Sequence, residues 1–332
     1  MLTAHLDRTT ARAVIGLANL APSVHNSQPW RWRVGPSSIH LFADATRALP
    51  ATDPEGRDLR ISCGAALHHL RVALSAAGLA ARVHRMPDPA HPAHVASVET
   101  TARTPTADDL ALARAIEHRR SDRRVFSTWP VPPEFLTELA RAAEHEGAAL
   151  RLLDRESQRW AVRRLVEHAA VEQALTPGVA GEVAAWTGRT RMAREGVPAA
   201  NVPSPREGTV PVRHVAGAEQ PQSELGVGES DGTVLAVLST RTDTPIDQLR
   251  AGEALSAVLL TATRSGLATD PVSQPLEVPT TRAELKQSCL DGDGEPQVLL
   301  RLGWAPVSAD PVPPTGRLRV DDTIDAMDAP WT

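Results

Sequence analysis

The chain has 332 residues, of which 42% are hydrophobic and 23% are charged, enough to build one large domain or two smaller ones around a hydrophobic core. Its formal net charge of -5 gives no overall attraction for nucleic acid or for an anionic membrane, and we expect neither partner. Two cysteines cannot form a disulfide framework, and we find no signal-peptide core and no long apolar run, so we expect a cytoplasmic protein without a membrane span.

The first part of the chain predicts one helix and two strands. Apolar spacing predicts a helix over about residues 10–20 that stops at Pro22. Short strands are expected at 31–34 and 39–42, where β-branched and aromatic residues alternate with polar ones. Residues 63–80 have the spacing of a buried helix.

The middle and end of the chain mix helices with short strands. Thr106 and Asp109 form a capping box that begins a helix running to Arg119. Pro132 and Pro133 begin the next helix, which Gly147 ends. The remaining expected elements are a strand at 149–153, a helix at 156–175, a helix at 251–268 and strands at 234–238 and 298–302. Because helices and strands do not alternate strictly, the pattern favours an α+β fold.

An internal repeat relates two of these helices. Segment 63–80, CGAALHHLRVALSAAGLA, aligns without gaps on segment 251–268, AGEALSAVLLTATRSGLA, with six of eighteen positions identical. Gly64 aligns with Gly252, and both segments place a glycine where a left-handed C-cap belongs. Chance similarity between two Ala- and Leu-rich helices is the alternative. The repeat predicts two related halves, 1–105 and 106–332.

A long insertion is expected in the second half. Residues 177–232 are rich in Pro, Gly, Arg and Ser, with one short helix predicted near 182–187. Loops of this length are usually lids, binding loops or disordered segments. Trp186, Met192 and Val197 favour a lid, because a disordered linker has little use for large apolar side chains. A disordered linker is the alternative.

Three motifs resemble those of one flavoprotein family. Residues 21–30 read APSVHNSQPW, residues 119–126 read RRSDRRVF, and residues 303–319 read GWAPVSADPVPPTGRLR. Together they resemble the nitroreductase family, although 119–126 has one residue more than the family pattern before Phe126. In family homodimers one subunit supplies the first motif and the other subunit supplies the second and third.

In this chain the first half has only the first motif and the second half has only the other two. The resemblance therefore implies a nitroreductase-like fold of two fused half-repeats, an intramolecular pseudo-dimer with a lid insertion, like the Acg-type proteins of actinobacteria. It implies one complete flavin site and one degenerate site in a chain that works as a monomer.

The resemblance also implies which residues hold FMN. The expected cofactor-binding residues are Pro22, Ser23, Val24, Asn26, Gln28, Arg119, Arg120, Ser121, Arg123, Arg317 and Arg319. Arginine suits a phosphate group because its planar, permanently charged guanidinium donates two parallel hydrogen bonds. Free backbone N–H groups after Pro22, with Ser23 and Asn26, are expected to face the ring or ribityl chain, and Gln28 to bond a ring carbonyl or the local turn. A simple helix-to-strand turn at Pro22, Ser23 and Asn26 is the alternative.

Other motifs predict no further site. GVGESDG at 226–232 precedes a strand, so it lacks the context of a dinucleotide fingerprint. Asp291 and Asp293 lack the rest of a calcium loop, and the histidines around 84–94 and at 68–69 lack zinc-ligand spacing, so no metal is expected. Cys63 and Trp30 are expected to be core residues rather than a reactive thiol and a stacking ring.

The expected function is NAD(P)H-dependent reduction of a small acceptor through FMN, with no catalytic side chain because the flavin carries the chemistry. One alternative is a non-enzymatic protein that stores or sequesters flavin beneath the lid, in a stress or dormancy response. Another is an interaction protein that has lost flavin.

Overall fold

The computed structural model describes residues 6–35, 37–203, 218–222, 232–306 and 309–325. The elements of the first part are α1 (Arg8–Ala18), β1 (Trp30–Val34), β2 (Ser38–Ala43), α2 (Arg57–Ala76), β3 (Leu79–Arg85) and β4 (His94–Ala102). The second part contains α3 (Ala107–His118), α4 (Pro133–His145), β5 (Ala149–Leu152), α5 (Glu156–Leu175), α6 (Val179–Trp186), β6 (Val234–Thr240), α7 (Pro245–Arg264), β7 (Ala268–Val272), α8 (Gln274–Glu277), α9 (Pro279–Leu290), β8 (Glu295–Gly303) and α10 (Val320–Thr323). No helix in these ranges is long and apolar enough to cross a membrane.

The two parts of the chain build the same sheet. Four antiparallel strands lie in the order β1–β2–β4–β3 in the first sheet and β5–β6–β8–β7 in the second. In both, a long helix, α2 or α7, connects the second strand to the third. The ends of α7 lie 188 residues after the ends of α2. The α+β fold is confirmed, and the repeat detected in 63–80 and 251–268 coincides with a repeated topology.

The second sheet carries two additions. Residues 35–37 join β1 to β2, whereas 153–233, with α5 and α6, join β5 to β6. Residues 273–294, with α8 and α9, join β7 to β8. The predicted insertion thus leaves the sheet between its first two strands. Its residues 204–217 and 223–231, with nearly all of the GVGESDG motif, lie outside the described residues.

The two halves meet where α2 crosses α7. A Cβ atom on Gly64 would lie 2.0 Å from the carbonyl oxygen of Leu249, and one on Gly252 would lie 1.9 Å from that of Ile61. The contact is reciprocal, because each glycine faces the backbone three residues before the other. Leu249 packs into the core of the first half, and Ile61 packs into that of the second. Each glycine is therefore required by close backbone approach.

We expect Gly64→Ala and Gly252→Ala each to lower the free energy of unfolding by roughly 1–3 kcal/mol or more, because the added methyl meets backbone that cannot turn aside. Gly181→Ala in α6 is the matched control, since a methyl group at that position would have no atom within 4 Å. The control should be neutral or stabilising by up to about 1 kcal/mol. Urea denaturation measures all three variants, and equal stabilities would contradict the close contact.

A buried polar cluster lies in the same helix interface. Nδ1 of His68 and Nδ1 of His69 each lie 2.8 Å from Oγ of Ser256. Nε2 of His68 faces Oε1 of Glu146 at 3.8 Å. The two neighbouring histidines therefore share one serine hydroxyl, and no group of three or more His, Cys, Asp or Glu in the described ranges is arranged to hold a metal. Burial lowers the pKa of His68 from 6.5 to about 4, and lowers that of His69 well below its usual value.

These shifts predict acid sensitivity. Above pH 6.5 His68 is neutral in both the folded and the unfolded chain. Between pH 6.5 and 4 only the unfolded chain takes up the proton, so folding stability falls as the pH falls. The loss from His68 should reach roughly 3 kcal/mol at pH 4.

Thermal melts of His68→Gln at several pH values test this expectation. The variant should lose less stability than the wild type between pH 6.5 and 4, whatever its stability at pH 7.5. Parallel pH profiles for the two proteins would contradict the assignment.

Candidate functional site

A cavity with two connected chambers lies between the halves. We call the larger the ring chamber, with about 1040 Å³ of empty space, and the smaller the arginine chamber, with about 720 Å³. Five residues border both chambers: Pro22, Ser23, Ser121, Arg123 and Val197. Apolar side chains from both halves, including Ile61 and Leu255, line the ring chamber.

The turn after α1 brings the first motif to this cavity. Pro22, Ser23 and Val24 line the ring chamber, and Asn26 lines the arginine chamber. His25, Asn26 and Gln28 have φ of 51°, 54° and 52°, a left-handed conformation that few non-glycine residues adopt. Backbone strain of this kind is typical of functional sites and persists only where the surroundings hold it.

The backbone N–H groups of this turn are mostly used within the protein, which corrects the expectation that they are free. The N–H of Val24 donates to Oγ of Ser62, and that of Gln28 donates to Oγ of Ser23. The N–H groups of Asn26 and Ser27 donate to the backbone carbonyls of Ser23 and Val24. The reason is that a short 3-10 helix closes here and satisfies its own donors.

Asn26 and Gln28 tie three distant segments together. Nδ2 of Asn26 donates to the carbonyls of Gly196 and Gly316 at 3.0 and 3.1 Å. The buried amide of Gln28 donates to the carbonyl of Arg194 and accepts from the N–H of Leu318. Nε2 of Gln28 also donates to the carbonyl of Asn26 at 3.3 Å, a bond within the local turn, which is one of its two expected roles. Oδ1 of Asn26 is buried without a hydrogen-bond partner among the described residues, which leaves it as an acceptor for a ligand.

Two guanidinium groups dominate the arginine chamber, one on the buried residue Arg119 and one on the half-buried residue Arg317. Arg119, at the end of α3, and Arg317, in the C-terminal segment, both line it. Both guanidinium groups donate to backbone carbonyls, and both donate to that of Leu20. No carboxylate of the described residues forms an ion pair with either group. Burial and then the nearby charge of Arg317 lower the pKa of Arg119 to about 9, and burial with Arg120 lowers that of Arg317 to about 10.

A largely desolvated charge without a counter-ion is costly, so this pair of guanidinium groups favours an anion in the arginine chamber. A phosphate monoester fits, because its oxygens accept several charge-assisted hydrogen bonds. Nε of Arg119 and Nε of Arg317 lack a hydrogen-bond partner among the described residues, as expected for donors held for a ligand.

The second motif continues along the cavity wall. Ser121 forms a parallel bridge with Thr269 at the edge of the second sheet, which fixes the chain between the chambers. Arg123 borders both chambers and donates to the carbonyl of Asn201 at 3.4 Å. Arg120 lines the arginine chamber but donates to the carbonyls of Glu117 and Arg119.

Arg319 is not brought to the site. It lines neither chamber, its side chain is 64% exposed, and it pairs with Asp322. In an extended chain, residues two apart point to the same side, so Arg319 was expected beside Arg317. Arg319 is instead the N-cap of α10, where the chain turns toward Asp322.

Residues outside the motifs also form the cavity. Thr187, Val197, Asn201 and Val202 come from the insertion, and 270–274 come from the end of β7. The insertion is held to the first half by Glu182, whose carboxylate accepts from the N–H and hydroxyl groups of Thr52. The sequence signal was the cluster of large residues in 186–197. The described part of the insertion thus lines the cavity, while its opening and closing stays a prediction.

Charge pairs lie around the corresponding turn of the second half. The segment joining α4 to β5, 146–148, is much shorter than the one joining α1 to β1. Glu146 pairs with Arg71, and Arg71 and Arg85 both pair with the fully buried Glu253. By the 188-residue offset, Arg85 corresponds to Ser273 of the ring chamber.

Two sequence relatives show the family of this chain. A Mycobacterium tuberculosis H37Rv protein provisionally named NAD(P)H nitroreductase Rv3131 is 42% identical over 323 residues, covering 96% of this chain and 92% of its own. A second relative from that strain, provisionally named NAD(P)H nitroreductase acg, is 34% identical and covers 94% of both chains. This chain belongs to the nitroreductase family. No family model matches it.

Solved nitroreductases give partial structural matches. The FMN-dependent nitroreductase NfnB of Mycobacterium smegmatis in complex with NADPH matches with a TM-score of 0.37 at 16% identity, over 64% of this chain and 92% of that one. A nitroreductase with bound FMN from Bacteroides fragilis matches with a TM-score of 0.38 at 14% identity, over 60% and 90%.

The arginine chamber predicts phosphate-dependent ligand binding by this nitroreductase-family protein. Arg119→Ala and Arg317→Ala should each weaken FMN binding about 10- to 100-fold, the value of a hydrogen bond to a charged group, and leave riboflavin binding nearly unchanged. Arg319→Ala is the control and should bind FMN like the wild type, because its exposed side chain faces Asp322. Flavin fluorescence titration measures all affinities. Equal losses of FMN and riboflavin binding would contradict a phosphate role.

Proposed function

We propose that the chain binds one FMN in the cavity and uses NAD(P)H to reduce a small acceptor. The observation that carries this proposal is the pair of guanidinium groups of Arg119 and Arg317. They have no carboxylate partner among the described residues, and they line the chamber that adjoins the largely apolar ring chamber. Both the relatives and the three motifs support an NAD(P)H-dependent flavoprotein.

Different residues along the cavity would bind different parts of FMN. Arg119 and Arg317 would hold the phosphate, with Arg120, Ser121 and Arg123 beside them, and Oδ1 of Asn26 would accept from the ligand between the chambers. The apolar walls of the ring chamber, with Pro22, Ser23 and Val24, would enclose the flavin ring and exclude water from one side.

Bound FMN would supply the redox chemistry, by taking a hydride from NAD(P)H and passing electrons to the acceptor. The protein's own part is position, electrostatics and access, so no acid or base side chain is assigned. The lowered pKa values of Arg119 and Arg317 remain above neutral, so both guanidinium groups are charged at pH 7 and can hold the phosphate.

We also propose that the site is single and that the chain acts as a monomer. This proposal is supported by the ion pairs among Arg71, Arg85, Glu146 and Glu253 around the corresponding turn of the second half. The two halves that bound the cavity also belong to one chain. Titration of the flavin-free chain should give one equivalent of FMN per 332 residues, and the sedimentation velocity should be that of a single chain.

The visible spectrum of the purified holoprotein tests the function. We expect flavin absorbance that bleaches on anaerobic addition of NADH or NADPH and returns when an acceptor such as a quinone or a nitroaromatic is added. Bound flavin that neither cofactor bleaches would contradict the enzymatic proposal, and a chain that binds no FMN would contradict the site.

A further inference from the structure

His69 is buried in α2. One of its ring nitrogens lies within hydrogen-bond distance of a partner, and the other has no partner among the described residues. Nδ1 lies 2.8 Å from Oγ of Ser256, and the residue has no exposed surface. Nε2 has no hydrogen-bond partner among the described residues. A ring nitrogen without a partner is an unpaired donor if it carries the proton and an unpaired acceptor if it does not. The hydrogen bonds of the neighbouring groups determine which form is present.

Proton counting assigns Nε2 as an acceptor. The hydroxyl of Ser256 has one proton for two imidazoles, His68 and His69. Nε2 of His68 faces Glu146, which favours a proton there and leaves Nδ1 of His68 to accept from Ser256. Nδ1 of His69 must then donate to Ser256, and the backbone carbonyl of Ala65, which can only accept, bonds the same imidazole. The lone pair of His69 is therefore on Nε2.

His69 lies on the stretch of α2 that packs near the end of α3, where Arg119 lies. Val72 of α2 packs with Ile116 of α3 in one apolar cluster. His69 is one turn before Val72, and Arg119 is one turn after Ile116. After burial, the charge of Arg119 is the largest influence that lowers the pKa of His69, and Arg317 acts in the same direction. The imidazole is thus neutral and can accept.

Three unmet groups therefore occupy one region: the Nε2 lone pair of His69 and the Nε–H groups of Arg119 and Arg317. Buried polar groups are nearly always paired, directly or through an ordered water. A neutral acceptor is suited to this place, because a carboxylate would neutralise the guanidinium charge that the phosphate needs.

We propose that His69 is a positioning residue for the phosphate arginines. Its Nε2 accepts from the Arg119 guanidinium through one water and orients the remaining N–H groups toward the arginine chamber. This inference rests on the proposed function, since it assigns how the FMN phosphate is held. His69 does not itself line either chamber.

Two polar variants separate the two nitrogens of His69. The amide of His69→Asn reaches the place of Nδ1 and can still bond Ser256, but nothing replaces Nε2. The longer side chain of His69→Gln carries an amide to the place of Nε2. We expect His69→Asn to bind FMN roughly tenfold more weakly and His69→Gln to stay within about threefold of the wild type. Riboflavin binding should change less than about twofold in both, because riboflavin has no phosphate.

Leu70→Ala is the control for lost packing, since Leu70 is fully buried beside His69 on α2. It should lower the melting temperature and leave the ratio of FMN affinity to riboflavin affinity unchanged. Fluorescence titration of both flavins with each protein measures the ratios.

Equal FMN affinities for the Asn and Gln variants, or a parallel loss of riboflavin binding, would overturn the role of His69 while leaving the proposed function intact. A wild-type chain that binds FMN no more tightly than riboflavin would contradict the phosphate site itself. The inference is supported if the ratio of FMN affinity to riboflavin affinity falls in His69→Asn and does not fall in the other variants.

Discussion

The candidate site is organised around two positive charges where the halves meet, that of the buried Arg119 and that of the half-buried Arg317. Arg119 comes from the second half and Arg317 from the C-terminal segment, yet both donate to the carbonyl of Leu20 at the end of the first helix. Burial of guanidinium groups without a carboxylate is tolerated only where other interactions hold the chain and an anion balances the charge. The crossing of α2 and α7 supplies that support. The function follows from the charge requirement rather than from a catalytic side chain.

Much of the fold was predictable because its signals are local. The helix at 156–175 was predicted with the bounds that the structure has, and the capping box of Thr106 and Asp109 begins α3 as expected. Strands β3 and β4 were not predicted, because their half-exposed residues, such as those of 79–85, show no clean alternation. Helix α9 was missed because its apolar positions are few and it packs through α5 and α8.

The site was predictable as far as its motifs extend. The residues of 22–26 and four of the five residues of 119–123 line one cavity, although the two segments are far apart in sequence. Spacing alone could not show that Arg319 turns to Asp322, since that depends on where α10 begins. Nor could it show that Asn201 and β7 complete the walls, because these contacts exist only after the insertion and the second sheet have folded. Which of the predicted residues bind FMN stays a prediction.

The reciprocal glycine contact has a consequence for how such a protein can change over evolutionary time. In a pair of identical subunits every substitution is made twice, so a mutation that blocks one ligand site blocks both. In this chain the two sides of the crossing are encoded separately. Charged groups such as Glu146 and Glu253 could enter one side while the other kept its arginines, and asymmetry became available without loss of the helix packing that both sides share.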